Sequence, residues 1–159
     1  MVEVDLKNKP KELLELNPYA KVPVLVDGDA VIYESAIINE YLEEKFPQTP
    51  LLPREQAQRA HARIWIDFCN TRVHGAAHEV LHGKEPEKAK EKLREHFHTL
   101  DREMAKREYL VGAYSLADIT FVPVFTRQQR YGVSVDHSFL HLKKWMDRLL
   151  ARPAVHSTL

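Results

Sequence analysis

The spacing of apolar residues shifts along the chain, and each shift marks an element. Val2 to Leu6 (VEVDL) alternates apolar and acidic positions, which predicts a short strand. Pro10 suits the first turn of a helix whose apolar face holds Leu13, Leu14 and Leu16, and Asn17-Pro18 stops it. Lys21 to Ser35 (KVPVLVDGDAVIYES) then reads as a β-hairpin. Val22 to Val26 is a largely β-branched run, Asp27-Gly28-Asp29 has turn chemistry, and Ala30 to Tyr33 is a second apolar run. From Glu34 to Phe46 the period lengthens, with Ile37, Ile38, Tyr41 and Leu42 at helical spacing.

Phe46 to Pro53 (FPQTPLLP) carries three prolines and reads as a linker. The pattern beyond it is wholly helical. A helix from Arg54 to about His82 has Ile64, Trp65 and Phe68 on one face, and Glu85-Pro86 opens another in which Leu93, Phe97, Leu100 and Met104 form a stripe. Ser115 to Phe125 is apolar nearly all round, as a central helix should be, although Pro123 lies inside it. At its start, Ser115 and Asp118 make a capping box with Asp in place of Glu or Gln, and Tyr114 and Ile119 can staple it. A last helix spans about Ser138 to Leu150 and stops at Arg152-Pro153. The expected order is strand, helix, hairpin, helix, linker, then four helices, in domains of residues 1–46 and 54–159 joined by 47–53.

Charge narrows the function classes. Lys and Arg number 23 against 23 Asp and Glu, so no overall field draws nucleic acid or an acidic membrane. The single Cys69 excludes an internal disulfide framework, and no apolar stretch is long enough for a membrane span or signal peptide, which points to a cytoplasmic protein. The unusual residue of the hairpin is Pro23. At the head of a strand it cannot donate to the ladder, and a cis Val22-Pro23 bond would turn the Val22 N–H and C=O outward for an extended peptide to pair with.

The Val22-Pro23 hairpin, the Glu34-Ser35 pair, the proline linker and the Ser115/Asp118 box stand in the order seen in glutathione transferases, and the chain resembles a bacterial-type cytosolic member of that family over essentially its whole length. The resemblance implies an α+β to mainly α protein, a thioredoxin-like glutathione-binding domain followed by an all-helical domain that lines the pocket for a hydrophobic electrophile. It implies that Val22 pairs through its backbone with the cysteinyl part of glutathione, that Pro23 is cis, that Glu34 and Ser35 hold the γ-glutamyl end, and that Lys21 reaches the glycyl carboxylate. Glutathione is then co-substrate or ligand, and no other cofactor or metal is implied.

The family's first strand and helix, which would precede VEVDL and carry the thiol-activating Tyr, Ser or Cys, have no match in these residues, so the thioredoxin-like domain is expected to be incomplete and no catalytic residue is assigned. That strand is central in the family sheet. Its loss leaves two edges about 10 Å apart, to be repaired by an inward slide of Val2–Leu6, by a strand from a second copy, or by mobility. One of the first two is expected, within a homodimer of the kind the family forms. Two functions follow: a glutathione transferase with little or no activity alone, or a noncatalytic binding or assembly module of the same fold.

Other residues have plainer readings. The Glu34 carboxylate at a helix N-terminus gains about 0.3–1 kcal/mol from the dipole without any ligand; its place downstream of Pro23 favours the ligand role. Lys21 is equally a solvated lysine, and the Ser115/Asp118 box is structural. Cys69 reads as a small buried hydrophobe, and Tyr19 and Tyr33 lie near the site without an assigned role. His74, His78 and His82 share a helical stripe, an arrangement that can chelate zinc, yet no carboxylate or thiolate completes a site. Zinc is therefore expected to leave the melting temperature unchanged, and a chelator likewise, when both are measured by calorimetry.

Overall fold

The computed structural model describes residues 2–158, and the chain divides into two compact units between Pro50 and Leu51. In the first unit, helix α1 (Lys11–Leu16) starts after Pro10, which takes the N-cap position with extended dihedrals, and buries Leu13. Strands β1 (Val24–Asp27) and β2 (Ala30–Tyr33) form an antiparallel hairpin in the register Val24↔Tyr33 to Asp27↔Ala30. Its two-residue loop places positive φ at Gly28 alone, as a type II′ turn requires. Helix α2 (Ser35–Lys45) follows at once and buries Ile38, while Ile37 and Leu42 stay exposed. Tyr41 donates its hydroxyl to Asp27 Oδ2 at 2.6 Å, and Lys45 pairs with the same oxygen, so the far end of α2 is tied to the hairpin turn. These two donors hold the Asp27 carboxyl below its ordinary range.

Val2–Leu6 is not a strand. Val2 and Leu6 are exposed, and among the described residues the sheet consists of β1 and β2. The local reason is an Asx-type turn, in which Asp5 accepts from the Lys7 N–H at 2.8 Å and from Asn8 Nδ2 at 3.1 Å, bending the chain where a ladder would continue. The expected inward slide of Val2–Leu6 onto the hairpin is thus not seen among the described residues.

The second unit begins inside the proline-rich stretch. Leu52 is buried, and Leu51 accepts through its carbonyl from the Leu116 N–H at 3.0 Å. Helix α3 (Gln56–Asp67) is capped by Glu55, whose carboxylate accepts from Ala57 and Gln58 N–H. It runs through a π-helical segment, Phe68–Val73, into α4 (His74–His82). There the His74 N–H reaches back five residues to Cys69 O, and the Thr71 hydroxyl donates to the Asp67 carbonyl at 2.8 Å, a bond that loosens helical packing. The buried stripe of this long helix is Ala62, Ile66, Cys69, Val73 and Ala77, not the Ile64 face, since Ile64 is exposed and Trp65 and Phe68 are half-buried. Small residues on that stripe allow close approach of the bulky helix α6 (Leu116–Thr126), against which α3 packs.

Helix α5 (Pro86–Met104) opens with proline at its first position and buries Leu93, Phe97, Leu100 and Met104, the stripe read from the sequence. Helix α6 continues through Pro123 and buries Phe121, Val124 and Phe125. A single turn, α7 (Gln128–Tyr131), ends at Gly132 in the left-handed region. Helix α8 (Leu140–Leu150) starts two residues later than the pattern suggests, because Asp136 turns the chain by accepting from Ser138. Its first N–H groups, those of His141 and Leu142, donate to Asp101 Oδ1 of α5 at 2.8 and 2.9 Å, a cap supplied from a distant element. Pro153 does not end the helical region but opens a further turn, α9 (Pro153–His156), that buries Val155.

The Ser115/Asp118 box forms and is larger than a cap. Asp118 Oδ2 accepts from the Ser115 N–H and hydroxyl, both at 2.9 Å, while Oδ1 accepts from the Leu110 N–H at 3.1 Å and the Trp145 indole N–H at 3.0 Å. The carboxylate is fully buried; burial pushes its pKa up, against the downward pull of these donors. Ser115→Ala should lower stability by about 1–2 kcal/mol. Asp118→Asn should cost more, about 3 kcal/mol, because an amide NH2 would face two donors it cannot accept from. Urea unfolding checks both, with the slope unchanged and the midpoint displaced.

Candidate functional site

The hairpin register brings the candidate residues together. Because Val24 pairs with Tyr33, Val22-Pro23 enters and Glu34-Ser35 leaves the hairpin at one and the same end. The Val22-Pro23 bond is cis, and Lys21, Val22, Pro23, Glu34 and Ser35 are all exposed. Val22 lies outside the paired ladder, so its backbone groups are open to an extended ligand.

The loop before Pro23 is built on Asn17, a residue the sequence pattern marked only as a helix stop. Its side chain is buried; Nδ2 donates to Lys21 O at 2.8 Å and Oδ1 accepts from the Tyr19 N–H at 2.9 Å. Between these anchors Ala20 takes a positive φ of 52°. Asn17 thus fixes the path of Lys21 into Val22. The signal that could have found it is the Asn-Pro pair itself, since Asn bonds to nearby backbone in turns.

On the other strand, Glu34 has φ 70° and ψ 115°, outside the regions comfortable for a residue with a Cβ. Its carbonyl accepts the first bond of α2, from Ile38 at 2.9 Å, while its side chain caps nothing. The N–H groups of the first turn of α2 therefore point outward beside an exposed hydroxyl, Ser35, and an exposed carboxylate, Glu34. This set suits a ligand end with both a carboxylate and an ammonium: helix N–H groups and Ser35 for the first, Glu34 for the second.

Tyr19 and Tyr33 meet edge to face with ring centroids 5.7 Å apart, Tyr19 exposed and Tyr33 half-buried. Cys69 lies in the other unit, fully buried, with its thiol given to Thr120 O at 3.4 Å and its pKa pushed far up by burial. Such a thiol is inert as a nucleophile. His78 and His82 are exposed neighbours with ring centroids 4.8 Å apart, and His74 is half-buried, held toward its neutral form by burial and by Arg127. Among the described residues no three His, Cys, Asp or Glu side chains are grouped to hold a metal ion, and no helix is long and apolar enough to cross a membrane.

Known proteins match both units. Residues 1–50 fit the glutathione S-transferase N-terminal domain, and residues 48–153 fit the glutathione S-transferase C-terminal domain. Glutathione S-transferase U24 of Arabidopsis thaliana is 37% identical over 166 residues, covering 99% of this chain and 76% of the relative. A stringent starvation protein A homolog of Coxiella burnetii is 33% identical over 135 residues, covering 83% of this chain and 65% of its own length. A glutathione S-transferase of Methylobacillus flagellatus, solved with glutathione bound, superposes with a TM-score of 0.87 at 25% identity, covering 99% of this chain and 85% of that one. The chain belongs to the glutathione S-transferase family, with its thioredoxin-like and helical parts in the expected order.

The strain at Glu34 separates function from stability. Glu34→Gly is expected to be more stable than Glu34→Ala by about 1 kcal/mol, because glycine accepts the positive φ without a Cβ penalty. Denaturant melts of the two variants measure the difference directly.

Proposed function

We propose that the protein binds glutathione at the open end of the hairpin. The Val22 backbone pairs with the cysteinyl residue, Glu34 and Ser35 hold the γ-glutamyl end at the head of α2, and Lys21 meets the glycyl carboxylate. The observation that carries this is the convergence of the cis Val22-Pro23 entry and the Glu34-Ser35 exit at one end of a single register, with Glu34 held in a strained conformation. Strain of this kind concentrates at ligand sites. The glutathione-bound relative of the same fold supports the ligand's identity.

The reaction proposed is attack of the glutathione thiolate on a hydrophobic electrophile, with little or no turnover by these residues alone. Activation requires a donor that stabilises the thiolate. Of the hydroxyl-bearing residues at or beside the hairpin end, Ser35 is assigned to the γ-glutamyl group, and the rings of Tyr19 and Tyr33 pack on one another. A noncatalytic binding role is the second reading, favoured by the lack of an assigned thiol-activating donor among the described residues at the hairpin end. We further propose a homodimer, with a second copy covering or exchanging strands at the hairpin. Val26 and Val31 pair across its two strands and are both exposed, and a two-stranded hairpin is marginal by itself.

Calorimetric titration with glutathione and turnover of a reactive aryl halide test these statements together. Saturable binding that weakens about fivefold or more in Glu34→Ala and Ser35→Ala is expected, with conjugation near the uncatalysed rate. Absence of binding would remove the site; turnover at the level of a longer relative would show that a residue without an assigned role supplies the donor, and Tyr19→Phe and Tyr33→Phe would test the two nearby tyrosines.

A further inference from the structure

Where α5 ends, the chain following it and one face of α8 enclose a notch of about 330 Å³. Lys106, Arg107, Lys144 and Arg148 line it together with a single carboxylate, Glu108, and Trp145 lies at its floor. Four cations less one carboxylate leave a local excess of three positive charges in a chain whose formal charges cancel as a whole. One neighbouring carboxylate offsets part of it, leaving an excess of two. Lys106 and Arg107 share one further carboxylate, Glu103, at 3.2 and 2.9 Å. Arg148 gives an N–H to the backbone carbonyl of Glu108 at 2.6 Å and lies over the Tyr109 ring, and Lys144 has no ion-pair partner among the described residues.

Helix electrostatics explain only part of the cluster. Lys106 and Arg107 follow the C-terminus of α5, where cations are favoured. Lys144 stands in the first half of α8, nearer that helix's positive end, and the adjacent Lys143 already uses Asp147 at 2.7 Å. Cations gathered in this way repel one another, and an anion seated among them relieves the repulsion. A dianion with several acceptor oxygens answers the excess charge better than a single carboxylate does, and arginine donors suit its oxygens.

We propose that this notch binds a phosphate group, either inorganic phosphate or the phosphate of a small monoester. The test uses the full chain carrying Trp65→Phe, so that Trp145 is the fluorophore. Phosphate, glycerol phosphate and acetate are titrated at constant ionic strength, with chloride as the salt control. The expected result is a saturable change with phosphate or the monoester but not with acetate or chloride, weakened about tenfold or more in Lys144→Glu. Lys144 is exposed, so that variant should fold, and an unchanged melting temperature checks it. Tighter binding of the monoester assigns the site to a phosphorylated small molecule, and tighter binding of inorganic phosphate to the free ion. A response equal for all anions, one unchanged in Lys144→Glu, or none at all would overturn the proposal.

Discussion

Asp118 carries a charge into the interior of residues 51–159 and holds it there with four donors drawn from three places: the chain at Leu110, the start of α6 at Ser115, and Trp145 of α8. Taking a carboxylate out of water costs several kcal/mol, and removing any donor leaves part of that cost uncompensated. The loop, the central helix and α8 therefore have to assemble together around it. Aromatic packing follows the same geometry. Trp145, positioned by its N–H bond, meets Phe121 and Phe125 of α6 with centroids 5.2 and 5.3 Å away. A cap that a peptide helix would satisfy with solvent has become the point where three segments of the bundle are fixed.

The first unit uses polar ties in a different way. Asp27, Tyr41 and Lys45 hold the closed end of the hairpin to α2, and Asn17 holds the approach to its open end. Between them the strands are only four residues long, so the ladder itself contributes little rigidity. The residues at the open end of the hairpin are positioned by these flanking anchors and by the burial of Ile38, which seats α2 directly after the second strand. Glu34 absorbs the cost of the abrupt passage from strand to helix. A residue of gentler geometry there would demand a longer connection and would move Ser35 away from the Val22 side of the hairpin.

What was legible in the sequence is what depends on neighbours along the chain. The hairpin, the α5 stripe, the capping box and the helical second half all follow from short-range periodicity and turn chemistry, and the family resemblance follows from the order of those signals. Val2–Leu6 misled because alternation specifies a strand only where a partner exists, and Asp5 offered the backbone a local alternative. The Arg54–His82 stretch is helical as its pattern suggests, and Cys69 is buried as its small apolar character suggests; Ile64, on the face of large side chains, is exposed, and the small Ala62 is buried instead. The Asp101 cap of α8, some forty residues away in sequence, leaves no local mark at all.

Charge shows the same division. A total that cancels argues against a polyanion partner, and it is silent about how the charges are distributed over the surface. On α8, Lys143 has its counter-charge one turn away at Asp147, which periodicity alone would suggest. Lys144, the next residue, faces the end of α5 instead, where Lys106 and Arg107 have already divided Glu103 between them. Only the packing of two helices turns one paired and one unpaired lysine out of an unremarkable Lys-Lys dipeptide. A cluster of residues assembled within a hairpin can thus be read from sequence order, while a cluster assembled between helices becomes visible only when their ends are brought side by side.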